Sequence, residues 1–192
     1  MATPIVAPPR SPSTDESGLA RAALTDCEAF TELYRRHVEH VYRYHMAHTG
    51  NQKDAEDLTS QTFMAALEGI RSFRGDGSFA AWLMGIASRK RALFFRGRKP
   101  QVSLDILPDI PDSDPPTHEA AEQKIQLASV ARALGQISPE RAEAIILVAF
   151  AGLSRREAAG VLKKSEAALK MLVSRGLQEL RQRTSLSLEV AI

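Results

Sequence analysis

The sequence is poor in cysteine and has no long apolar run, and both absences exclude classes of protein. Cys27 is the only cysteine in 192 residues, so neither an intramolecular disulfide framework nor a multi-cysteine zinc site can form. No segment approaches the roughly 20 consecutive apolar residues that a membrane-spanning helix needs. The N-terminus also lacks the basic-then-apolar layout of a signal peptide. We therefore expect a cytoplasmic protein without membrane insertion.

Signatures of catalysis and of metal binding are absent as well. The sequence has no Gly-rich phosphate loop, no nucleophile elbow and no paired carboxylates in a plausible pocket. This predicts no catalytic residue, no cofactor and no enzymatic activity. His37, His40, His45 and His48 raise the alternative of a metal site, but the Glu-x-x-His spacing of bundle di-iron sites is missing and no cysteine accompanies them. Histidines that are hydrogen-bonded within the fold or exposed to solvent are therefore favoured over metal ligands.

The net charge of +2 conceals a strong segregation of charge along the chain. Residues 16–70 contain nine acidic and five basic residues, whereas residues 71–99 contain eight basic residues and one acid, Asp76. Residues 101–120 contain five acids and no Lys or Arg, and residues 138–184 return to nine basic against five acidic residues. The pattern indicates two basic modules separated by an acidic segment, and basic modules favour anionic partners.

Apolar residues recur at spacings of three and four, which predicts helices, and no convincing strand pattern occurs. Capping residues place the helix boundaries: Asp26, Asn51 and Ser78 in the first half, Ser154 and Ser165 in the second. The predicted fold class is all-α, with a helical bundle followed by a helix-turn-helix domain. In the helix capped by Asn51, the predicted inward-facing positions are Ala55, Leu58, Thr62, Phe63, Leu67 and Ile70. In the helix capped by Ser78, they are Phe79, Trp82, Leu83, Ile86 and Leu93.

Composition divides the chain into five parts. The N-terminal residues are mostly Pro, Ser, Thr and Ala, which cannot offset their ordering entropy and predict disorder. Five prolines between Gly97 and Thr117 predict an extended connection with no core of its own. The predicted parts are a disordered tail (1–16), a first domain (17–98), an acidic linker (99–117), a second domain (118–186) and a C-terminal tail (187–192).

The segment from Ser154 to Arg183 has the layout of a helix-turn-helix. Its two helices are joined by a tight turn at residues 162–165, and Ala158 and Ala159 are small enough for the helices to pack closely. The second helix of such a motif can enter a major groove; a helical hairpin with a solvated charged face is the alternative. The expected groove-facing positions are Glu166, Ala167, Lys170, Met171 and Ser174, and the expected phosphate contacts are Lys163, Lys164, Arg175 and Arg181.

Aromatic residues are interleaved with the basic run of residues 71–99. Single-stranded nucleic acid needs both, because cations follow the phosphates while rings or ring-lined pockets receive unstacked bases. The alternative is a solvated basic face over an aromatic core. For Phe79 and Trp82 the core is favoured, whereas for the Arg and Lys run nucleic-acid binding is favoured.

Several motifs resemble one protein family. DAEDL at 54–58, QTF at 61–63 and FRGDGSF at 73–79 resemble the first domain, region 2, of extracytoplasmic-function sigma factors of the sigma-70 family. Residues 134–181, with a Ser-Pro pair, a Gly-Leu-Ser turn and Glu-Ala-Ala, resemble the family's region 4, which contains the promoter-reading helix-turn-helix. Together the two stretches cover nearly everything from residue 19 to residue 183.

The resemblance implies a transcription initiation factor with three functional surfaces. The acidic helix would dock on the clamp helices of the largest polymerase subunit, through Asp54, Glu56, Asp57, Gln61 and Phe63. The loop and helix that follow would read and open the minus-ten element, through Arg74, Gly75, Asp76, Ser78, Phe79, Arg89, Lys90 and Arg96. The C-terminal helix would contact the minus-thirty-five element, through Lys163, Lys164, Ser165, Glu166, Ala167, Lys170, Met171, Ser174 and Arg175.

The implied partners are bacterial core RNA polymerase, promoter DNA as duplex and as melted strand, and an anti-sigma factor. The acidic linker would thread the catalytic cleft and the RNA-exit path. The implied location is the cytoplasm, with nucleoid association in the holoenzyme.

The sequence departs from the family pattern where DNA is read. Arg89 and Leu93 stand where Asn and Asp are common, and Lys163 stands where Gly is usual. We therefore expect an unusual or weakly specified promoter. A stand-alone helix-turn-helix regulator and a polymerase-binding decoy with degraded DNA readout remain alternatives. In the C-terminal helix, the usual Thr, Ser and Arg are replaced by Ala168, Met171 and Leu172.

Overall fold

The protein is described by a computed structural model that covers residues 16–75, 77–97 and 129–183. Every regular element in these ranges is helical, which confirms the all-α fold class. Asp76, the predicted linker and the predicted C-terminal tail lie outside the described residues, as does the N-terminal tail up to residue 15. None of the described helices is both long and apolar enough to cross a membrane.

The described first half consists of α1 (Glu16–Ala22), α2 (Cys27–Thr49), α3 (Gln52–Gly69) and α4 (Phe79–Gly97), with a single 3₁₀ turn at Ile70–Ser72. Helix α1 begins one residue inside the predicted tail. The reason is local, because the Glu16 carboxylate lies 3.2 Å from Nε2 of the buried His37. This contact ties the start of α1 to α2.

The predicted N-caps set the boundaries of the long helices. The Asp26 side chain accepts a hydrogen bond from the Glu28 N–H at 2.8 Å, and the Asn51 side chain accepts one from the Asp54 N–H at 3.0 Å. Ser78 caps α4 in the same way. Each cap satisfies a backbone donor that has no partner inside its helix. The three predicted helix starts are confirmed.

The first-half core lies where α2 packs against α3 and α4, and most predicted inward positions are buried. The inward-facing predictions for Leu67 and Leu93 are wrong, because these side chains are 50% and 52% exposed. In α3 the inward face follows steps of four residues, so Ala66 instead of Leu67 is buried. Leu93 lies in the last turns of α4, beyond the buried stretch that ends at Ala87.

The second half contains helical residues at 129–134, followed by α5 (Pro139–Ala149), α6 (Arg155–Leu162) and α7 (Glu166–Arg183). Residues 144–147 of α5 are each at most 1% exposed, as expected of a continuous apolar run in a central helix. Ser154 and Glu157 form the expected capping box at the start of α6. Ala158 and Ala159 are buried, as the helix-turn-helix prediction requires.

The two halves contact each other directly. Helix α4 packs against α6, α2 packs against α5, and the buried side chains of both halves form one continuous core cluster. The sequence predicted two units connected by a linker and did not predict this contact.

His45 illustrates how tightly the first-half core is packed. Its ring is fully buried, and Nε2 lies 3.0 Å from Oγ1 of Thr62. The Thr62 hydroxyl donates to the Leu58 carbonyl at 2.7 Å, so the imidazole is the donor in the His45–Thr62 pair. Burial, followed by the nearby His48 and Arg91, lowers the pKa of His45 to about 3.

Acid should therefore destabilise the protein in a way that depends on His45. Because the pKa is lower in the folded state than its ordinary value of 6.5, the unfolded chain binds more protons as the pH falls below that value, and stability is lost. Between pH 7 and pH 5 the loss from this group is about 2 kcal/mol. Urea unfolding at both pH values should show a weaker pH dependence in His45→Gln. An unchanged dependence would contradict the assignment.

Candidate polymerase and nucleic-acid interfaces

Helix α3 presents an acidic face to solvent. Glu56, Asp57 and Gln61 are exposed and Asp54 is half-buried, so four of the five predicted polymerase-binding side chains are accessible. Phe63 is the exception. It is 5% exposed and its ring packs edge-on against Tyr34, with 4.7 Å between the ring centroids. The structure therefore corrects its assignment, because a ring held in the core cannot contact a partner.

The same helix exposes two apolar side chains that sequence reasoning did not place on this surface. Met64 is 63% exposed and Leu67 is 50% exposed. Met64 lies three residues after Gln61 and seven after Asp57, which puts all three on one side of the helix. Steps of three and four residues counted from Asp57, instead of from the apolar residues, would have placed Met64 on this surface. The α3 face is thus a mixed acidic and apolar surface.

The loop before α4 turns at Gly75. Gly75 has φ of 79°, in the left-handed region that glycine adopts without steric cost. Arg74 is exposed and Gly75 half-buried, while Ser78 serves as the α4 cap. Asp76, a predicted DNA contact, lies outside the described residues.

Phe79 belongs to the core, which corrects its place among the DNA-contacting residues. Its side chain is 1% exposed, and its ring centroid lies 5.6 Å from that of Phe73 and 5.3 Å from that of Trp82. Trp82 is half-buried against the same core cluster. The prediction that Phe79 and Trp82 belong to the core is thus confirmed.

The basic residues of α4 point in different directions. Arg89 and Arg96 are exposed and Lys90 is half-buried, with the Arg89 Nε donating to the Gly85 carbonyl at 3.1 Å. Arg91 does not join this basic surface, because its Nη2 lies 3.2 Å from the Glu143 carboxylate in the second half. Sequence reasoning could not separate Arg91 from its neighbours, since its partner is 52 residues away in the chain.

The helix-turn-helix exposes all nine residues predicted for the minus-thirty-five surface. Ser165 caps α7 by accepting a hydrogen bond from the Ala168 N–H at 3.2 Å. The Lys164 ammonium lies 3.2 Å from a carboxylate oxygen of Glu140, which connects the turn to α5. Leu172 is half-buried against the core, so its side chain supports the helix and is not free to contact bases.

The histidines of α2 were not expected to bind a metal ion. In the structure, three of them contact polar side chains of the protein. His37 lies beside Glu16, His45 beside Thr62, and His48 Nε2 lies 3.1 Å from Glu143. Within the described ranges, no cluster of three or more His, Cys, Asp or Glu side chains is placed to hold a metal ion. The histidines act in packing.

Lys163 occupies a strained position in the recognition motif. It ends α6 with φ of 54° and ψ of 44°, a left-handed conformation that costs a residue with a β carbon about 1–2 kcal/mol. Its N–H bonds to carbonyls in the last turn of α6, so the turn depends on this conformation. Glycine would adopt it without that cost.

Lys163→Gly should therefore raise the free energy of unfolding by about 1 kcal/mol. Lys163→Ala is the matched control, since it removes the charge and keeps the β carbon, and should give no such gain. Thermal unfolding followed by circular dichroism measures both. Equal stability of the Gly and Ala variants would rule out backbone strain as the cause.

By its fold, the chain is an all-helical protein that contains a helix-turn-helix in its second half. Residues 33–100 match the Sigma-70 region 2 family, and residues 127–180 match the Sigma-70 region 4 family. The RNA polymerase sigma factor NccH of Alcaligenes xylosoxydans xylosoxydans is 30% identical over 88% of this chain and 94% of its own length. The chain therefore belongs to the sigma-70 family, among the extracytoplasmic-function sigma factors. It is a transcription initiation factor that directs RNA polymerase to promoters, and not an enzyme.

Two further comparisons agree with this assignment. The ECF RNA polymerase sigma factor BldN of Streptomyces coelicolor is 32% identical over 83% of this chain, which spans 62% of the length of BldN. The solved structure of CnrH in complex with the cytosolic domain of CnrY is 28% identical and has a TM-score of 0.65, covering 88% of this chain and 96% of CnrH. Both halves of the fold are included in that match.

Proposed function

We propose that three surfaces of this chain divide the work of promoter recognition: the α3 face docks on polymerase, the loop and basic residues of α4 engage the minus-ten element, and α7 contacts the minus-thirty-five element. The single observation that carries the proposal is that the acidic and the basic side chains are exposed on different helices. Acidic side chains thus predominate on the α3 face and basic ones on the α4 and α7 surfaces, which favours a different kind of partner for each.

The α3 surface supports docking on a protein rather than on DNA. Asp57 and Gln61 are exposed beside Met64 and Leu67. Exposed apolar side chains flanked by carboxylates fit a protein surface with basic and apolar contacts, whereas the carboxylates would repel phosphates. We include Met64 and Leu67 in the docking surface with Asp54, Glu56, Asp57 and Gln61.

The α4 surface supports contact with an opened strand. Arg74, Arg89 and Arg96 are exposed and provide cations for phosphates. The half-buried Trp82 ring leaves part of an aromatic surface beside them. Phe79 acts beneath this surface, by holding Trp82 in position.

The α7 surface supports duplex contact with limited base specificity. Lys170 and Arg175 are exposed and can reach phosphates, which position the helix without reading sequence. Among the groove-facing side chains, Ala167 and Met171 offer no strong hydrogen-bonding group. We infer that this element contributes affinity more than sequence selection.

We also propose an anti-sigma partner, because CnrH was solved in complex with the cytosolic domain of CnrY. In the holoenzyme the chain would be cytoplasmic and associated with the nucleoid. If the chain were a stand-alone regulator, the exposed acidic face of α3 would have no binding partner. A polymerase-binding decoy would retain α3 docking and start no transcripts.

Reversing the charges at Asp54 and Asp57 to Lys should weaken association with core RNA polymerase at least tenfold, because two attractive contacts become repulsive. The control is Glu28→Lys with Glu39→Lys, which makes the same change of charge on the exposed side of α2. Fluorescence anisotropy of the labelled chain with core enzyme measures both. Undiminished binding of the α3 variant would remove this surface from the proposal.

Replacing Lys170 and Arg175 with Ala should reduce the salt dependence of holoenzyme binding to promoter duplex. Each lost phosphate contact lowers the slope of log affinity against log salt by about 0.9, so a fall of about 2 is expected. Arg183→Ala is the control, because its guanidinium is engaged by Glu179 and the Gln136 carbonyl. A slope equal to that of the unmodified protein would show that α7 does not contact phosphates there.

A further inference from the structure

Met171 places a large apolar side chain on the exposed, basic surface of α7. Its side chain is 50% exposed, and it lies directly after the exposed Lys170 and four residues before the exposed Arg175. Apolar surface that remains in water gains free energy when a partner covers it. The α7 surface therefore offers its partner an apolar contact as well as positive charge.

The packing of α7 does not use the Met171 side chain. Leu169 and Val173 are buried, and each lies two residues from Met171 in the sequence. Two residues correspond to about 200° of rotation around a helix, so Met171 points away from the core that these two side chains contact. We therefore expect that Met171 can be replaced without loss of the fold.

Ala167 lies beside Met171 on the same side of α7. It is exposed, and it precedes Met171 by four residues, a spacing that places two side chains next to each other on one face of a helix. Both residues belong to the side of α7 that was predicted to face a major groove. We call Ala167 and Met171 the apolar pair.

The charges around the apolar pair indicate what kind of partner covers it. Lys163 and Lys164 lie in the turn before α7, and Lys170 and Arg175 lie on α7 itself; all four side chains are exposed. Cations placed in this way bind phosphates. The complementary partner is thus a polyanion that presents apolar groups between two rows of phosphates.

The major groove of duplex DNA meets this description at thymine. Thymine carries a C5-methyl group in the groove, and apolar side chains such as that of Ala contact this methyl. The unbranched and flexible side chain of Met can adapt its position to such a group. The other three bases present hydrogen-bonding groups in the groove, which the apolar pair cannot match. Contact with the methyl group therefore favours thymine over the other bases.

We propose that Ala167 and Met171 select thymine in the minus-thirty-five element by covering its C5-methyl group. This inference rests on the duplex contact proposed above for α7 and names the base that the contact prefers. Burial of one methyl group changes affinity by about threefold to fourfold. Selection of this size is weaker than that of a bidentate hydrogen-bonded pair, which agrees with the limited base specificity inferred for α7.

Replacement of thymine by deoxyuridine tests the proposal, because it removes the C5-methyl group and keeps the hydrogen-bonding groups of the base. The probe is a promoter duplex from a start site that the holoenzyme uses, prepared with thymine or with deoxyuridine throughout the upstream element. Holoenzyme that contains the unmodified chain should bind the thymine duplex at least threefold more tightly. Fluorescence anisotropy of the labelled duplex measures both affinities.

Variants at Met171 connect this preference to the side chain. Met171→Ala and Met171→Gln should lose most of the preference, by weakening binding to the thymine duplex and leaving binding to the deoxyuridine duplex nearly unchanged. Met171→Leu should keep the preference, because it keeps an apolar side chain. Lys170→Ala is the matched control on the same helix: it should weaken binding to both duplexes equally, since a phosphate contact does not depend on the base. Circular dichroism confirms that each variant is folded.

The outcomes separate this inference from the function on which it rests. A thymine preference that is equal in the unmodified chain and in Met171→Ala would overturn the inference, because the duplex itself would then be its source. Equal weakening of both duplexes by Met171→Ala would also overturn it and would assign Met171 to a contact other than the methyl group. If Lys170→Ala and Arg175→Ala together leave the affinity for both duplexes unchanged, α7 does not bind the duplex and the proposed function of this surface fails as well.

Discussion

A carboxylate buried between two helical units constrains the arrangement of the whole molecule. Glu143 needs compensating partners because a buried charge without them is costly, and Tyr44, His48 and Arg91 of the first half provide them. The same contact holds Arg91 away from the basic surface of α4. Beside it the two halves share one apolar core, so Glu143 and this core together join α5 to the first half.

The local features of the fold could be predicted from sequence because their causes are local. Asp26, Asn51 and Ser154 cap helices through bonds to residues two or three positions away, and such spacings can be read directly. Leu67 was predicted wrongly because an apolar residue one position off the four-residue step fits the pattern almost as well as Ala66. The contact between Tyr44 and Glu143 joins residues 99 apart, and no spacing rule reaches that far.

The candidate surfaces could be predicted from the sequence where they consist of charged residues, because most charged side chains are exposed. Exposed acids on α3 and exposed bases on α7 were identified from charge segregation, and the structure places them on separate helices. Phe63 and Phe79 were assigned both to the core and to a binding surface, and only packing could decide between the two. The family-typical glycine at position 163 now has a physical reason, because the backbone there is left-handed.

A sigma factor with few base-reading side chains on α7 has to obtain its selectivity elsewhere. We infer that selectivity comes from strand opening at the minus-ten element and from delivery by polymerase. The most direct measurement is run-off transcription from a genomic library with core polymerase, with and without this protein. A limited set of defined start sites should appear only when the protein is added. Polymerase binding with no new transcripts would contradict the assignment of this chain as an active initiation factor.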